Sequence, residues 1–381
     1  MNLDTLFTEI RTKTEHICTP LTTEDYVPQP VDFTSPPKWH LAHTTWFFEE
    51  MILKKWDPDY QEYNPHFNFL FNSYYNFVGE RSLRENRGNM TRPSVETIYA
   101  YRKYVDQKMI ELIQTRQQEI RDVLLIGLNH EQQHQELLIT DIKYTLGHNP
   151  IFPVYDEQFN LITTLPTVNK FIDIEAGVYE IGHDGEGFAY DNEMGKHRVF
   201  LEEFSISTAL VSNQEYLEFI NAGGYSSFEY WLDEGWAWTQ ENNIKSPLYW
   251  HFIDGNWHQY TLSGLKKIDL EDAVAHLSFY EANAFANWKG MRLPTEFEWE
   301  IAQEQFSWGE RWEWTNSAYL PYPKFKIADG ALGEYNGKFM INQMVLRGAS
   351  NATSKNHSRP TYRNFFHPTY QWQFTGIRLA K

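Results

Sequence analysis

Apolar residues recur with a helical period over about the first 148 positions of the chain. The clearest stripe follows Ser94, a residue type that caps helix N-termini, and runs from Ile98 to Leu112. The pattern predicts four helices with a long connection between the second and the third, at about residues 3–17, 38–56, 98–112 and 118–146. Together they predict an N-terminal four-helix bundle covering residues 1–150.

The pattern changes after residue 150. Residues 151–168 contain prolines but no regular period and are predicted to be a linker. From residue 169 to 381, short strand-like runs alternate with glycine-containing turns. Three capping boxes predict helix starts there, and they pair Ser212 with Glu215, Ser278 with Glu281, and Thr295 with Glu298. The second domain is therefore predicted to be α+β, and the whole chain multidomain α and α+β.

A length of 381 residues is comfortable for two domains, each with its own core. The net charge of −18, with acidic and basic residues interspersed, argues against a nucleic-acid or anionic-membrane partner. Cys18 is the only cysteine, which excludes an intramolecular disulfide, and the chain has no apolar signal segment or long apolar run. These features predict a cytoplasmic protein and leave its oligomeric state open.

The pentapeptide HEQQH places His130 and His134 one helical turn apart. Both share a predicted seam with Asp141 that faces the other helices, so both imidazoles are predicted to point inward. Two buried imidazoles usually require a metal or several polar partners. His43 in the second helix supplies a third ligand on the inward face, whereas His40 is interpreted as a rim or surface histidine.

Three imidazoles leave half of an octahedral site open and suit Fe(II), Zn(II) or Mn(II). The pentapeptide also satisfies the H-E-x-x-H pattern of zinc peptidases. The extended peptidase pattern needs glycine and histidine where Leu137 and Thr140 stand. The sequence therefore disfavours a peptidase and leaves the metal undetermined.

Segments in both halves of the chain resemble the iron(II)-dependent sulfoxide synthases of ergothioneine biosynthesis. The N-terminal motifs resemble the DinB-like bundle of that family and are WHLAHTTWFFE (39–49), FNSYYNFVGERSLRENRGNMTRPSV (71–95) and HEQQHQELLITDIKY (130–144). The C-terminal motifs resemble its formylglycine-generating-enzyme-like domain, which is related to the C-type lectin fold, and are DNEMGKHRVF (191–200), RLPTEFEWEIA (292–302), WEWT (312–315), VLRGAS (345–350) and TYRNFFHPTYQWQFTGIRLA (361–380). The resemblance implies a DinB-like four-helix bundle followed by a C-type-lectin-like domain.

The resemblance also implies roles for individual residues. The implied Fe(II) ligands are His43, His130 and His134. Gln133 corresponds to the residue that hydrogen-bonds the imidazole of hercynine (Nα-trimethylhistidine). Asn364 and Phe365 correspond to positions that line the hercynine pocket, where an amide suits the carboxylate and an aromatic face suits the trimethylammonium group.

Other matched positions concern the sulfur donor and the proton chemistry. Arg84 and Arg87 correspond to the arginine pair that binds the donor's carboxylate. Tyr74 and Tyr75 correspond to a tyrosine pair in one branch of the family, which provides a proton or hydrogen-bond donor near oxygen. Phe366 stands where the branch that uses γ-glutamylcysteine has an aspartate that pairs with the donor's amino group. This difference favours free L-cysteine as the donor.

The activity implied is the joining of hercynine and L-cysteine by O2 to give hercynyl-cysteine sulfoxide. Within the same chemistry the alternatives are a γ-glutamylcysteine or selenosugar donor, or an ovothiol-type synthase acting on histidine. A noncatalytic lectin-like binding protein with a structural metal is an alternative of a different class. The second domain contains no cysteine, so the thiol-based copper site of formylglycine-generating enzymes is excluded.

Overall fold

The computed structural model describes residues 2–73, 81–159, 169–327 and 337–381. These residues form two compact units. The described part of the first unit is residues 2–73 and 81–157 together with Thr353–His357, and the second unit contains the other described residues. The short segment from near the C-terminus therefore belongs to the N-terminal unit, which the sequence pattern did not indicate.

The first unit is helical. α1 (Leu3–Cys18) is followed by α2 (Pro37–Phe48), which continues through a π-helical turn into α3 (Lys54–Trp56). α4 (Phe67–Phe71) lies in the long connection, and α5 (Val95–Gly147) begins after Ser94, whose hydroxyl accepts the predicted capping bond from the Thr97 N–H. No helix among the described residues is long and apolar enough to cross a membrane.

α5 folds back on itself at Arg116, whose backbone angles of φ −132° and ψ 28° are not helical. Arg102 and Glu131 are 29 residues apart in sequence, yet their side chains are joined by a hydrogen bond of 2.5 Å. A straight helix would separate them by roughly 44 Å, so the two arms of α5 run antiparallel. These arms are the predicted third and fourth helices, and with α1 and α2 they confirm the bundle.

α2 lies deep in the bundle, and all of its residues are buried. Gly127, on the second arm of α5, allows the two helices to approach closely. A Cβ atom at this position would lie 2.6 Å from the ring of Phe48 and 2.9 Å from the ring of Phe47. The close approach brings the side chains of α2 directly against those of α5.

The second unit contains four small sheets within the described residues. Three are antiparallel: β1 (Phe171–Ile174) with β4 (Phe204–Ser207), β2 (Gly177–Ile181) with β3 (His197–Leu201), and β5 (Trp250–Ile253), β6 (Asn256–Thr261) and β7 (Gly264–Lys267). The fourth has the strand order β10 (Asn364–Phe366), β9 (Met344–Gly348), β8 (Trp312–Ala318) and β11 (Thr375–Gly376). Its β8–β11 pair is parallel, although the other pairs are antiparallel.

Four α-helices accompany these strands: α6 (Asn213–Asn221), α7 (Asp233–Glu241), α8 (Phe279–Trp288) and α9 (Glu296–Ala302). The three predicted capping boxes are confirmed at the starts of α6, α8 and α9. In each box the hydroxyl accepts a backbone N–H and the glutamate returns the bond, so both orphan donors are satisfied. The mixture of strands and helices confirms the predicted α+β class.

A cluster of buried charged side chains joins α1 to both arms of α5. Glu131 accepts hydrogen bonds from Arg102 at 2.5 Å, from Arg11 at 2.9 Å and from the Thr14 hydroxyl at 2.6 Å. Burial by itself would raise the pKa of Glu131, but the two guanidinium groups outweigh it and hold the pKa at about 2. Glu131 is therefore ionised although it is buried, because the guanidinium groups of Arg102 and Arg11 balance its charge.

The variant Glu131→Gln keeps the side-chain volume but removes the charge that both guanidinium groups require. We expect the free energy of unfolding of the helical unit to fall by about 3–5 kcal/mol, because one partner of a buried ion cluster has been removed. The control Glu111→Gln, at an exposed position on the same helix, should change it by less than about 0.5 kcal/mol. Urea denaturation followed by far-UV circular dichroism measures both, and equal midpoints for the two variants would contradict the prediction.

The difference in stability between the wild type and Glu131→Gln should also depend on pH. The folded-state pKa of Glu131 is depressed from 4.5 to about 2, so its contribution to stability is complete above pH 4.5. That contribution is lost as the pH falls through the folded-state pKa. The difference in urea midpoint between wild type and Glu131→Gln should therefore shrink from about pH 4 downwards, and a difference independent of pH would contradict the assignment.

Candidate metal centre

Three buried histidines of the first unit converge on one point. His43 comes from α2, whereas His130 and His134 lie one turn apart on the second arm of α5. They are 0%, 1% and 8% exposed. One ring nitrogen of each lies within 4.8 Å of the others, and Nε2 of His43 is 3.2 Å from Nε2 of His130. The predicted ligand set is thus brought together.

Hydrogen bonds orient two of these rings. Nδ1 of His43 lies 2.6 Å from the carbonyl oxygen of Phe71, and because a carbonyl can only accept, Nδ1 carries the proton. The lone pair of His43 is then on Nε2, which faces His130. Nδ1 of His134 lies 2.8 Å from Nδ1 of His40 and is likewise engaged on the side away from the cluster.

The environment keeps the three imidazoles neutral. Burial lowers the pKa of His130 to about 3 and lowers those of His43 and His134 well below the usual value. The proximity of the histidines to one another lowers the pKa values of His43 and His134 further. Three neutral imidazoles with ring nitrogens that converge on one place, two of them hydrogen-bonded through the other nitrogen, suit a divalent transition-metal ion. The residues present therefore fit the predicted metal.

The interpretation of His40 as a rim or surface histidine was wrong. His40 is 2% exposed, and its Nε2 lies 3.0 Å from Oδ2 of Asp141 while its Nδ1 faces His134. The error arose because burial of α2 on every side removes the solvent-facing surface that an amphipathic helix usually has. Asp141 had been placed on the inward seam, and that was the signal that could have located a partner for His40.

The glutamate of HEQQH is not directed at the metal ligands. Glu131 is held by Arg102 and Arg11, as described above, and is fully occupied by those bonds. A zinc peptidase needs this carboxylate beside the metal-bound water, where it acts as a base. The geometry therefore argues against a peptidase more directly than the missing extended pattern did.

Aromatic rings support His43 on its own helix. Trp39 stacks on it with ring centroids 4.4 Å apart, and Trp46 lies nearly parallel to it at 5.5 Å. The guanidinium carbon of Arg87 is 3.4 Å from the centroid of the Trp39 ring. Sequence reasoning missed both tryptophans, although their positions four residues before and three after His43 place them on its face of the helix.

The predicted donor-binding arginines differ in environment. Arg87 is 5% exposed and donates hydrogen bonds to the hydroxyls of Ser35 and Ser73, which hold it beside Trp39. Arg84 is exposed, and its guanidinium donates to the backbone carbonyl of Phe33. Gln133 is half-buried on α5, next in sequence to His134.

The two predicted tyrosines, Tyr74 and Tyr75, lie outside the described residues.

The remaining predicted residues form β10 in the second unit. Asn364, Phe365 and Phe366 are each partly buried and pair with β9. Phe365 stacks on Tyr319 with centroids 4.0 Å apart, and Phe366 meets Trp372 edge-to-face at 5.0 Å. The strand thus carries two phenyl rings, each held by an aromatic neighbour, next to the amide of Asn364.

The chain was compared with known proteins. Residues 6–138 match the DinB superfamily and residues 158–311 match the sulfatase-modifying factor enzyme 1-like domain. A hercynine oxygenase of Mycolicibacterium smegmatis is 28% identical, with 91% of each chain covered, and one of Mycolicibacterium thermoresistibile is 27% identical, with 91% of this chain and 87% of the relative covered. The formylglycine-generating enzyme of Bos taurus is 29% identical over 37% of this chain and 43% of its own length.

The match to the formylglycine-generating enzyme is confined to part of the chain, whereas the matches to the two hercynine oxygenases run through both units. The order of the two matched domains agrees with the helical first unit and the α+β second unit. The chain therefore combines a DinB superfamily domain with a sulfatase-modifying-factor-like domain, and it is similar to hercynine oxygenases through both units.

Proposed function

We propose that this protein is a non-haem Fe(II)-dependent sulfoxide synthase that joins hercynine and L-cysteine with O2 to give hercynyl-cysteine sulfoxide. The similarity to hercynine oxygenases supports an oxygen-dependent oxidoreductase that acts on hercynine. The proposal of an iron-dependent synthase rests on the convergence of three buried, neutral histidines. A set of three imidazoles leaves coordination positions open for substrates, as a catalytic rather than a structural site requires.

The proposed reaction balances without an external reductant. Forming the C–S bond from a C–H and an S–H bond removes two electrons, and oxidising the sulfur to a sulfoxide removes two more. One O2 accepts all four, so that one oxygen atom enters the sulfoxide and the other leaves as water. The two hydrogen atoms of that water come from the C–H and S–H groups.

The metal ligands are assigned by this proposal to His43, His130 and His134. When bound, iron(II) supplies positive charge that favours the thiolate of the sulfur donor and the redox chemistry that O2 requires. Burial keeps the three ligand side chains neutral, so the ligands themselves would not offset the charge of the metal. The three histidines would leave coordination positions open, and reacting groups bound there would be held close together, which would supply much of the rate.

The other site residues are assigned to substrate binding. Arg87 suits a carboxylate because stacking on Trp39 and two serine hydroxyls fix the plane of its guanidinium group. Arg84 is the second cation assigned to the donor carboxylate. Gln133 is assigned to the hercynine imidazole, and Asn364 to its carboxylate.

The remaining assignments concern aromatic residues. Phe365 is assigned to the trimethylammonium group of hercynine, since an aromatic face attracts a cation that has no hydrogen-bond donor. Tyr74 or Tyr75 is assigned as the proton donor, because a phenol can protonate a reacting oxygen without adding a competing charge.

Product analysis after anaerobic loading with Fe(II) tests the function. The loaded protein is given hercynine with an equimolar mixture of cysteine, γ-glutamylcysteine and a selenosugar, and then O2. We expect the mass of hercynyl-cysteine sulfoxide and uptake of about one O2 per product. If no O2 is taken up with hercynine and the donors present, the result would support a binding protein. A product formed from another donor would identify that donor as the substrate in place of cysteine.

A test of the metal assignment uses single substitutions. His43→Ala and His130→Ala should each reduce bound Fe(II) from about one equivalent to less than roughly a tenth, because a first ligand contributes more than the 10–100-fold typical of an outer-shell residue. His16→Ala, at an exposed position on α1, is the control and should bind iron as the wild type does. Metal analysis after desalting under nitrogen measures all three, and full iron in His43→Ala would exclude that residue as a ligand.

Donor choice gives a further prediction. Phe366 offers an aromatic ring where pairing with an amino group would need a carboxylate, and a buried ammonium without a partner costs roughly 1–3 kcal/mol. At about 1.4 kcal/mol per factor of ten, this corresponds to a preference of about tenfold or more for cysteine over γ-glutamylcysteine in kcat/KM. Phe366→Asp should narrow the preference, mainly through the KM of the longer donor.

Phe366→Leu is the matched control for that substitution, because it reduces the ring without adding a charge. If the missing charge pair causes the preference for cysteine over γ-glutamylcysteine, Phe366→Leu should leave most of that preference in place. If the bulk of the ring causes it, Phe366→Leu should narrow the preference as much as Phe366→Asp does. A wild-type preference for γ-glutamylcysteine at saturating hercynine and O2 would withdraw the assignment of cysteine as the donor.

A further inference from the structure

Three side chains form a continuous hydrogen-bonded chain that ends at a metal ligand. Nδ1 of His134 lies 2.8 Å from Nδ1 of His40, and Nε2 of His40 lies 3.0 Å from Oδ2 of Asp141. The same Oδ2 accepts the backbone N–H of Ser35 at 2.8 Å. His40, His134 and Asp141 are 2%, 8% and 2% exposed, so the chain of bonds is shielded from solvent.

The direction of the bonds follows from the last acceptor. A backbone N–H can only donate and an ionised carboxylate can only accept, so Oδ2 of Asp141 accepts one hydrogen bond from Ser35 and a second from the Nε2–H group of His40. A neutral imidazole carries one proton, which leaves Nδ1 of His40 as an acceptor. Nδ1 of His134 must then be the donor, and its lone pair is on Nε2.

The opposite direction is incompatible with metal binding. If Nδ1 of His40 were the donor, Nδ1 of His134 would have to accept and Nε2 of His134 would carry a proton. That proton would point at the other two ligands, and no lone pair would be available there. The direction set by Asp141 is therefore the one that makes His134 a ligand.

We propose that His40 and Asp141 are positioning residues that fix the Nδ1–H tautomer and the ring orientation of His134, so that its Nε2 is presented to the metal. Asp141 acts on His40, and His40 acts on His134. The three residues come from α2 and the second arm of α5, the same two helices that supply all three ligands. The bonds thus hold the two helices in the register that the metal site needs.

His43 and His134 are positioned by different kinds of hydrogen-bond partner. His43 donates to the backbone carbonyl of Phe71, a partner that no side-chain substitution removes. His134 depends on two side chains, each of which can be changed. Substitution of His40 or Asp141 should therefore affect one ligand and leave His43 and its partner in place, which makes the inference open to a selective test.

The first test measures metal affinity and needs no turnover. Co(II) is a spectroscopic probe of the site, and competition with a chelator gives its dissociation constant. His40→Leu removes the acceptor and should weaken Co(II) binding by about 10–100-fold, the usual effect of removing an outer-shell partner. His40→Asn restores an acceptor near the former Nδ1 position and should recover a substantial part of that loss, with far-UV circular dichroism confirming that each variant is folded.

The second variant, Asp141→Asn, keeps the shape of the side chain but removes its charge. Ser35 and His40 both contact Oδ2, so an amide oxygen at that position accepts both bonds more weakly than the carboxylate does. An NH2 group at that position loses the bond from Ser35, donates to Nε2 of His40 and so favours the reversed chain. We expect weaker Co(II) binding here as well. In metal-free protein, long-range 1H–15N spectra should show His134 protonated at Nδ1 in the wild type and a population protonated at Nε2 in Asp141→Asn.

The outcomes separate this inference from the proposed function on which it rests. Absence of Co(II) binding by the wild type would overturn both. Wild-type affinity in folded His40→Leu, or in Asp141→Asn if His40→Leu does not fold, would overturn only the positioning role. Equal loss in His40→Asn and His40→Leu would show that the imidazole supplies packing rather than an acceptor, and would also overturn it.

Discussion

The arrangement of the helical unit depends on the buried ion cluster around Glu131. This carboxylate binds Arg102 on the first arm of α5 and Arg11 on α1, while Glu131 itself lies on the second arm. An uncompensated charge at such a depth would cost several kcal/mol, so the three helical segments are stable only in the register that brings the partners together. That register also fixes how the second arm presents its neighbouring residues to α2.

The glutamate and the two histidines of the same pentapeptide therefore face different neighbours. Glu131 faces α1 and the first arm of α5, whereas His130 and His134 face α2. Successive residues on a helix are about 100° apart, which allows one short segment to contribute to an ion cluster on one side and to a metal site on the other. The motif that suggests a peptidase is thus used for a structural anion and two metal ligands.

The metal site is preorganised by contacts that surround it. Phe71 and His40 engage the outer nitrogens of His43 and His134, and Trp39 covers the ring of His43. Arg87 stacks on the far side of this arrangement, on the ring of Trp39. Arg87, which is assigned to the substrate, and His43, which is assigned to the metal, therefore both pack on one indole ring, that of Trp39.

The sequence by itself determined the local features: the helical periods, the cap at Ser94, the three capping boxes and the placement of His130 and His134 on one inward face. Each depends on residues within a turn or two of one another, where backbone geometry alone fixes the spacing. The spacing along the second helix also placed His43 on the inward face as a third ligand, and the converging histidines agree with this placement. The resemblance of the motifs added the family, which the domain matches support.

Only the tertiary structure decided which distant groups became partners. The pairing of Glu131 with Arg11, 120 residues away, the burial of His40 against Asp141, 101 residues away, and the parallel addition of β11 to β8 leave no periodic signal. Many arginines and histidines in the chain could satisfy the same local pattern. Packing selects among them, because a buried charge or imidazole is stable only where the folded chain supplies its complete set of partners.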